Sequence, residues 1–215
     1  MQAHQKEFLD FAIACEVLRF GEFTLKSGRT SPYFFNTGKF DTGYRLARLG
    51  TYYAKTLIGA DARFDMLYGP AYKGIPLVCS VAMALAAETG REMPYAFNRK
   101  EAKAHGEGGC LVGAPLQGAV LIVDDVITAG TSVGESVEVI RAAGADVAGV
   151  VITLDRQERG AGDLSAVQEV SRFHDIPVYA IVTLKDITAY LASESMHEEL
   201  AMIRTHQAAY GIQGV

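Results

Sequence analysis

Short apolar stretches alternate with segments of helical spacing along most of the chain. Residues 64–68, 94–98, 110–116, 120–125, 146–154 and 177–184 are compact apolar runs bounded by Gly, Pro or charged residues, and they read as strands. Between and around them, apolar residues recur at the 3.6-residue period over 5–20, 42–58, 75–89, 132–143, 164–173, 186–192 and 196–210, which predicts helices. Gly21 is expected to end the first of these, and Pro76 suits the first turn of the third. Residues 22–39 break the rhythm. They are rich in Thr, Phe, Tyr, Gly and Ser and predict short antiparallel strands beside the main sheet. Strands that alternate with helices from 64 to 184 imply an α/β fold with a mainly parallel central sheet.

One stretch concentrates the chemistry: residues 120–132, VLIVDDVITAGTS. Its four leading apolar residues fit a strand buried on both faces. Asp124 and Asp125 follow, then the small-residue turn Thr128-Ala129-Gly130-Thr131-Ser132, then a helix. Ligands of open α/β sheets bind at the carboxyl ends of strands. A turn of small residues brings backbone N–H groups together, hydroxyls add donors, and the helix N-terminus favours an anion, so a phosphate is well held. Paired carboxylates repel phosphate but accept hydrogen bonds from sugar hydroxyls. The combination describes a ribose 5-phosphate. Read blandly, it is a strand end with two solvated acids before a capped helix.

Other positions are open when taken singly. Lys73 lies in the glycine-rich segment 69–74, where a cation could meet phosphate or simply face water. Arg99, Lys100, Lys103 and His105 fall within seven residues and are followed by Gly106, Gly108 and Gly109. Such a segment reads as a mobile basic flap over an anion, or as a solvated loop. Arg156 follows a strand end, where a planar guanidinium can bind a carboxylate through two hydrogen bonds or serve in a surface ion pair. Lys26 suits a strand edge, and Phe34-Phe35 suits core packing.

Composition narrows the choice. A chain of 215 residues fits one domain, or one domain with a small appendage. The net charge of −5 and the lack of a long basic tract argue against a nucleic-acid partner. The apolar stretch 75–87 is too short to span a bilayer, and the charged N-terminus is unlike a signal peptide. Cys15, Cys79 and Cys110 have no metal-ligand spacing, and they read as reduced core or near-core thiols of a cytoplasmic protein.

The order of apolar run, Asp-Asp, two apolar residues and small loop resembles the phosphoribosyl-diphosphate (PRPP) motif of the type I phosphoribosyltransferases. GPAYKGIPL at 69–77, the basic loop 99–109, Lys26 with Phe34-Phe35, and Arg156 make the whole chain similar to the orotate phosphoribosyltransferases. The resemblance implies the type I phosphoribosyltransferase fold in one domain over 1–215, with a small N-terminal hood within 20–40, a core sheet over 64–185 and a flap over 99–109. It implies PRPP binding by Lys26, Tyr72, Lys73, Arg99, Lys100, Lys103, His105, Asp124, Asp125, Val126, Ile127, Thr128, Ala129, Gly130, Thr131 and Ser132. Orotate falls to Lys26, Phe34, Phe35, Thr128 and Arg156, and catalysis to Lys103, Asp124, Asp125, Lys73 and His105. Mg²⁺ is expected on PRPP and water rather than on direct protein ligands, near Asp124 and Asp125. A homodimer that shares the flap between subunits is implied too. In purine-type relatives the position of Thr128 often carries an acid; a neutral residue there, with Lys26 and Arg156, suits an anionic base. A purine enzyme, a PRPP-sensing regulator without catalysis and an unrelated nucleotide-binding protein are the competing readings. The retained basic flap counts against the regulator, and the absence of GxGxxG and GxxxxGK[ST] against the last.

Overall fold

The six-stranded sheet explains why the apolar runs are unbroken. A computed structural model describes residues 1–25, 28–103, 109–160 and 162–212. Its main sheet comprises β3 (Met66–Gly69), β4 (Tyr95–Lys103), β5 (Gly109–Gly113), β6 (Ala119–Val123), β7 (Asp146–Asp155) and β8 (Val178–Thr183). The order is β5-β4-β3-β6-β7-β8; only β4 and β5 pair antiparallel. Along β6, Leu121 and Val123 belong to one hydrophobic cluster, and Val120 and Ile122 to the other. A strand buried on both faces can afford no alternating polar position.

Helices cover both faces. The larger cluster lies under α1 (Ala3–Ala14), α2 (Gly43–Gly59), α3 (Gly74–Thr89), α6 (Leu184–Ser193) and α7 (His197–Tyr210). The smaller lies under α4 (Thr131–Ala142) and α5 (Ala166–His174). The segment 22–39 does form antiparallel strands, β1 (Leu18–Thr24) and β2 (Thr30–Phe35), in a separate two-stranded sheet.

Three expectations change. The first helix stops at Ala14 rather than Phe20. Glu16 takes a left-handed φ of 57°, its N–H bonds to the Ile13 carbonyl at 2.9 Å, and the Val17 N–H reaches the Ala12 carbonyl at 2.8 Å. This paired closure ends a helix without glycine, and Leu18 and Phe20 are then recruited by pairing with Phe35 and Tyr33. The strand expected over 94–98 continues to Lys103, where it pairs with Gly109. The basic residues 99–103 are therefore strand rather than irregular loop. Of the cysteines, Cys15 is buried but Cys110 is exposed, not near the core; all three are unpaired.

Candidate active site

The acidic tip of β6 is built into the protein rather than left in water. Asp124 and Asp125 are each only 7% exposed. One Asp124 oxygen accepts the Asp125 N–H at 2.8 Å and the other accepts the Ser132 hydroxyl at 3.0 Å. Asp125 accepts the Val126 N–H at 2.8 Å on Oδ1, and on Oδ2 the Thr37 hydroxyl at 2.9 Å and the Lys73 ammonium at 2.5 Å. The backbone is pinned from beneath: the Tyr53 hydroxyl donates to the Asp124 carbonyl at 2.7 Å, and the Thr153 hydroxyl donates to that of Asp125. Burial pushes the Asp124 carboxyl up to about 6, and neighbouring Asp125 adds to it, although the Asp125 N–H, the Ser132 hydroxyl and Lys73 oppose the rise.

The loop beyond behaves as its small residues suggest. Gly130 caps α4 with φ 72°, and a Cβ there would come within 2.8 Å of Val170 Cγ2. Asp124 and residues 126–133 line a hollow of ≈ 250 Å³ at the start of α4. Thr128, Ala129, Thr131 and Ser132 are exposed. Val126 is half-buried against the larger core and Ile127 is buried in the smaller. A wider groove of ≈ 780 Å³ lies on the other side of the loop, between α4 and α5, away from the carboxylates.

Neighbouring strands supply the cations. Lys73 stands just before α3, after the turn that leaves β3, and the peptide Ala71–Tyr72 in that turn is cis. The Ala71 N–H is held by Asn98 Oδ1 at 2.8 Å. The Lys100 ammonium lies 5.1 Å from the exposed Tyr72 ring. Arg99 Nη1 is buried without a hydrogen-bond partner. Lys26 and His105 fall outside the described residues, as does the side chain of Lys103.

Arg156 follows β7 on the same edge of the sheet. Its Nε donates to Glu158 Oε1 at 3.1 Å, its Nη2 donates to the Ser31 hydroxyl at 3.3 Å, and its guanidinium lies 4.5 Å from the Tyr33 ring centre. Strand alternation puts Ser31, Tyr33 and Phe35 on one face of β2 and Phe34 on the other. Phe35 packs against the larger core, while Phe34 meets Phe23 and the Arg19 guanidinium at 5.5 Å each. Thr37, Tyr53, Thr153, Ser31, Tyr33 and Glu158 went unread in the sequence. Glu158 is close in sequence to Arg156 but reads there as an ordinary loop acid, and the others are residue types common in cores and turns that meet their partners across the fold.

Comparison with known proteins settles the family. Residues 40–178 match the phosphoribosyl transferase domain. The chain is 63% identical to the orotate phosphoribosyltransferase of Methylococcus capsulatus over 98% of its own length and 99% of that protein. The chain belongs to the orotate phosphoribosyltransferase family. The Klebsiella pneumoniae member is 58% identical over 99% of this chain and all of its own. The crystal structure of the Francisella tularensis member superposes with a TM-score of 0.88 at 44% identity, covering 95% of this chain and 99% of that one. Family membership fits the described site: a carboxylate pair, a small-residue loop opening a helix, and cations on the strands to either side.

Proposed function

We propose that the chain transfers the 5-phosphoribosyl group of PRPP to orotate, forming orotidine 5′-monophosphate and releasing diphosphate for pyrimidine synthesis. The observation that carries this reading is the edge formed by the carboxyl ends of the parallel strands β3, β6 and β7. Lys73, the pair Asp124–Asp125 and Arg156 stand there, one group after each strand. The hollow at α4 takes the 5-phosphate on the N–H groups and hydroxyls of Ala129–Ser132, with Thr128 at its rim. Asp124 and Asp125 accept the ribose hydroxyls. Arg156 faces the orotate carboxylate, with Lys26 assigned beside it on sequence grounds, and Phe34-Phe35 lie on the base side.

As the anomeric C–O bond breaks, positive charge grows on the sugar and negative charge on diphosphate. The carboxylate pair lies near the first. Lys73, Tyr72, Arg99 and Lys100 serve the second, together with Lys103 and His105, which are assigned on sequence grounds. Lys73 leaves its bond to Asp125 for the diphosphate, which frees a carboxylate oxygen for a hydroxyl. Mg²⁺ fits as an ion carried on the substrate. Among the described residues no three His, Cys, Asp or Glu side chains cluster as a ligand set, and the Asp124 and Asp125 oxygens already have partners, so the pair would reach it through water. When bound, the ion neutralises the diphosphate and improves it as a leaving group.

Two copies are assigned to pair through α2 and α3. Leu46, Ala47, Pro76, Cys79 and Met83 line an open apolar groove of ≈ 370 Å³ there, with Tyr44 exposed nearby. The flap of one would then serve the site of the other. Three unpaired thiols support a reducing, cytoplasmic setting. The deciding experiment follows orotate absorbance with protein, PRPP and Mg²⁺, with adenine, hypoxanthine and uracil in parallel. Metal-dependent loss with orotate alone is expected; turnover of a purine instead would overturn the assignment of the base.

A further inference from the structure

Beneath Arg156 lies a buried polar cluster that the reaction as described does not use. Glu158, two residues on, points one carboxylate oxygen at three groups from three parts of the chain. The Tyr33 hydroxyl of β2 donates to Oε1 at 3.0 Å, Arg156 Nε donates at 3.1 Å, and His206 Nε2 of α7 lies 3.3 Å away without hydrogen-bond alignment. The other oxygen lies 3.5 Å from Arg29 Nη1. Tyr33 is fully buried and His206 is 6% exposed. The backbone is tied in the same place: the Arg159 N–H bonds to the Tyr210 carbonyl at 2.8 Å, and the Ile212 N–H to the Gln157 carbonyl at 3.0 Å. Burial would raise the Glu158 carboxyl, but Arg156, His206 and the Tyr33 hydroxyl outweigh it and hold it below the usual glutamate range.

A charge this enclosed is costly unless it is paired and hydrogen-bonded, so its partners are held as tightly as it is. Arg156 swings on a long flexible stem, and a free guanidinium loses rotamer entropy when it meets a ligand. Here Nε is held by Glu158, Nη2 by Ser31, and the guanidinium plane lies over Tyr33. We propose that Glu158 is the positioning residue for the base: backed by Tyr33 and by His206 of the C-terminal helix, it fixes the Arg156 fork in the orientation that receives the orotate carboxylate. This rests on the placement of orotate at Arg156. Glu158 also tempers the local positive charge, so the pocket selects a planar carboxylate by geometry rather than any anion by charge.

The experiment measures steady-state kinetics of four variants: Tyr33→Phe, Glu158→Gln, Arg156→Ala and the double Arg156→Ala/Glu158→Gln. Tyr33→Phe removes one hydroxyl from a buried ring and keeps its volume, so the test survives if a variant at Glu158 fails to fold. Tyr33→Phe and Glu158→Gln should raise the orotate KM about 3- to 30-fold and leave the PRPP KM within about twofold, the pattern of lost base binding alone. In the Arg156→Ala background, Glu158→Gln should add nothing. An orotate KM that rises in Arg156→Ala but not in Glu158→Gln or Tyr33→Phe overturns the positioning role alone. So does an equal effect of Glu158→Gln with and without Arg156, or a lowered orotate KM in Glu158→Gln. An unchanged orotate KM in Arg156→Ala takes down the placement of orotate itself, and the positioning role with it.

Discussion

Asp124 is held where ionisation is unfavourable, and two opposite consequences follow. Its carboxyl titrates near 6 in the folded chain against an ordinary 3.8, so the folded state holds the proton more tightly than the unfolded one. The stability this group contributes is full below about pH 4 and is lost as pH rises through about 6. Asp124→Asn keeps the acceptor for the Asp125 N–H and removes the titration. The variant is expected to be more stable at pH 8 by about 1–3 kcal/mol, with a flatter stability curve between pH 4 and 7, read by urea denaturation. Its activity should fall by roughly 10²-fold, because an amide donates where a ribose hydroxyl needs an acceptor. In the native chain, kcat/KM for PRPP should rise with pH through about 6; a flat profile there would deny Asp124 its part in binding the sugar. The acid pair was legible in sequence as two adjacent carboxylates after an apolar run. The cost of ionising one of them was not, because the burial of Asp124 depends on how the fold closes around it, with Tyr53 arriving on its carbonyl from 71 residues away.

At the scale of elements, the turn from β3 into α3 is held by glycines back to back. A Cβ on Gly69 would run into the Gly74 carbonyl and lie 2.8 Å from Val78 Cβ, and one on Gly74 would lie 2.7 Å from Pro70 Cδ. Gly69→Ala must push the start of α3, and with it Lys73 just before that helix, away from the end of β3. The expected loss is about 2–4 kcal/mol of stability, with a PRPP KM raised roughly tenfold and the orotate KM little changed. Denaturation and initial rates check both, and equal damage to the two KM values would mean that the turn serves the whole fold rather than the diphosphate side. Strand and helix identities were readable here because periodicity reports local geometry. Boundaries were less so: helix α1 ends at a left-handed Glu16 rather than at a glycine, and β4 outruns its apolar stretch because β5 pairs with it.

Across the whole molecule, the functional groups gather because the sheet order sets β6 between β3 and β7. If two copies share flaps, mixing equal amounts of Lys103→Ala and Asp125→Asn chains should restore about a quarter of native activity, since half of the dimers are then mixed and one site in each mixed dimer has an intact flap and an intact acid pair. Recovery read after denaturation and co-refolding tests this; none at all would place flap and acid pair on the same chain. The C-terminal helix belongs to this scale as well. His206 and the carbonyl of Tyr210 reach the loop of Arg156 from about 50 residues along the chain.

The sequence by itself determined the α/β alternation, the strand buried on both faces, the small-residue loop and the two acids, and the cations at 73, 99, 100 and 156. These are local: each is a run of neighbouring residues whose types follow from one strand, one turn or one helix start. Only the tertiary structure decided what restrains them. Thr37 meets Asp125 across 88 residues and Tyr53 meets Asp124 across 71, while Tyr33 and His206 close on Glu158 from opposite ends of the chain. Such partners leave no periodic trace, since a threonine, a tyrosine or a histidine in a core or turn looks the same whether or not a carboxylate waits across the fold.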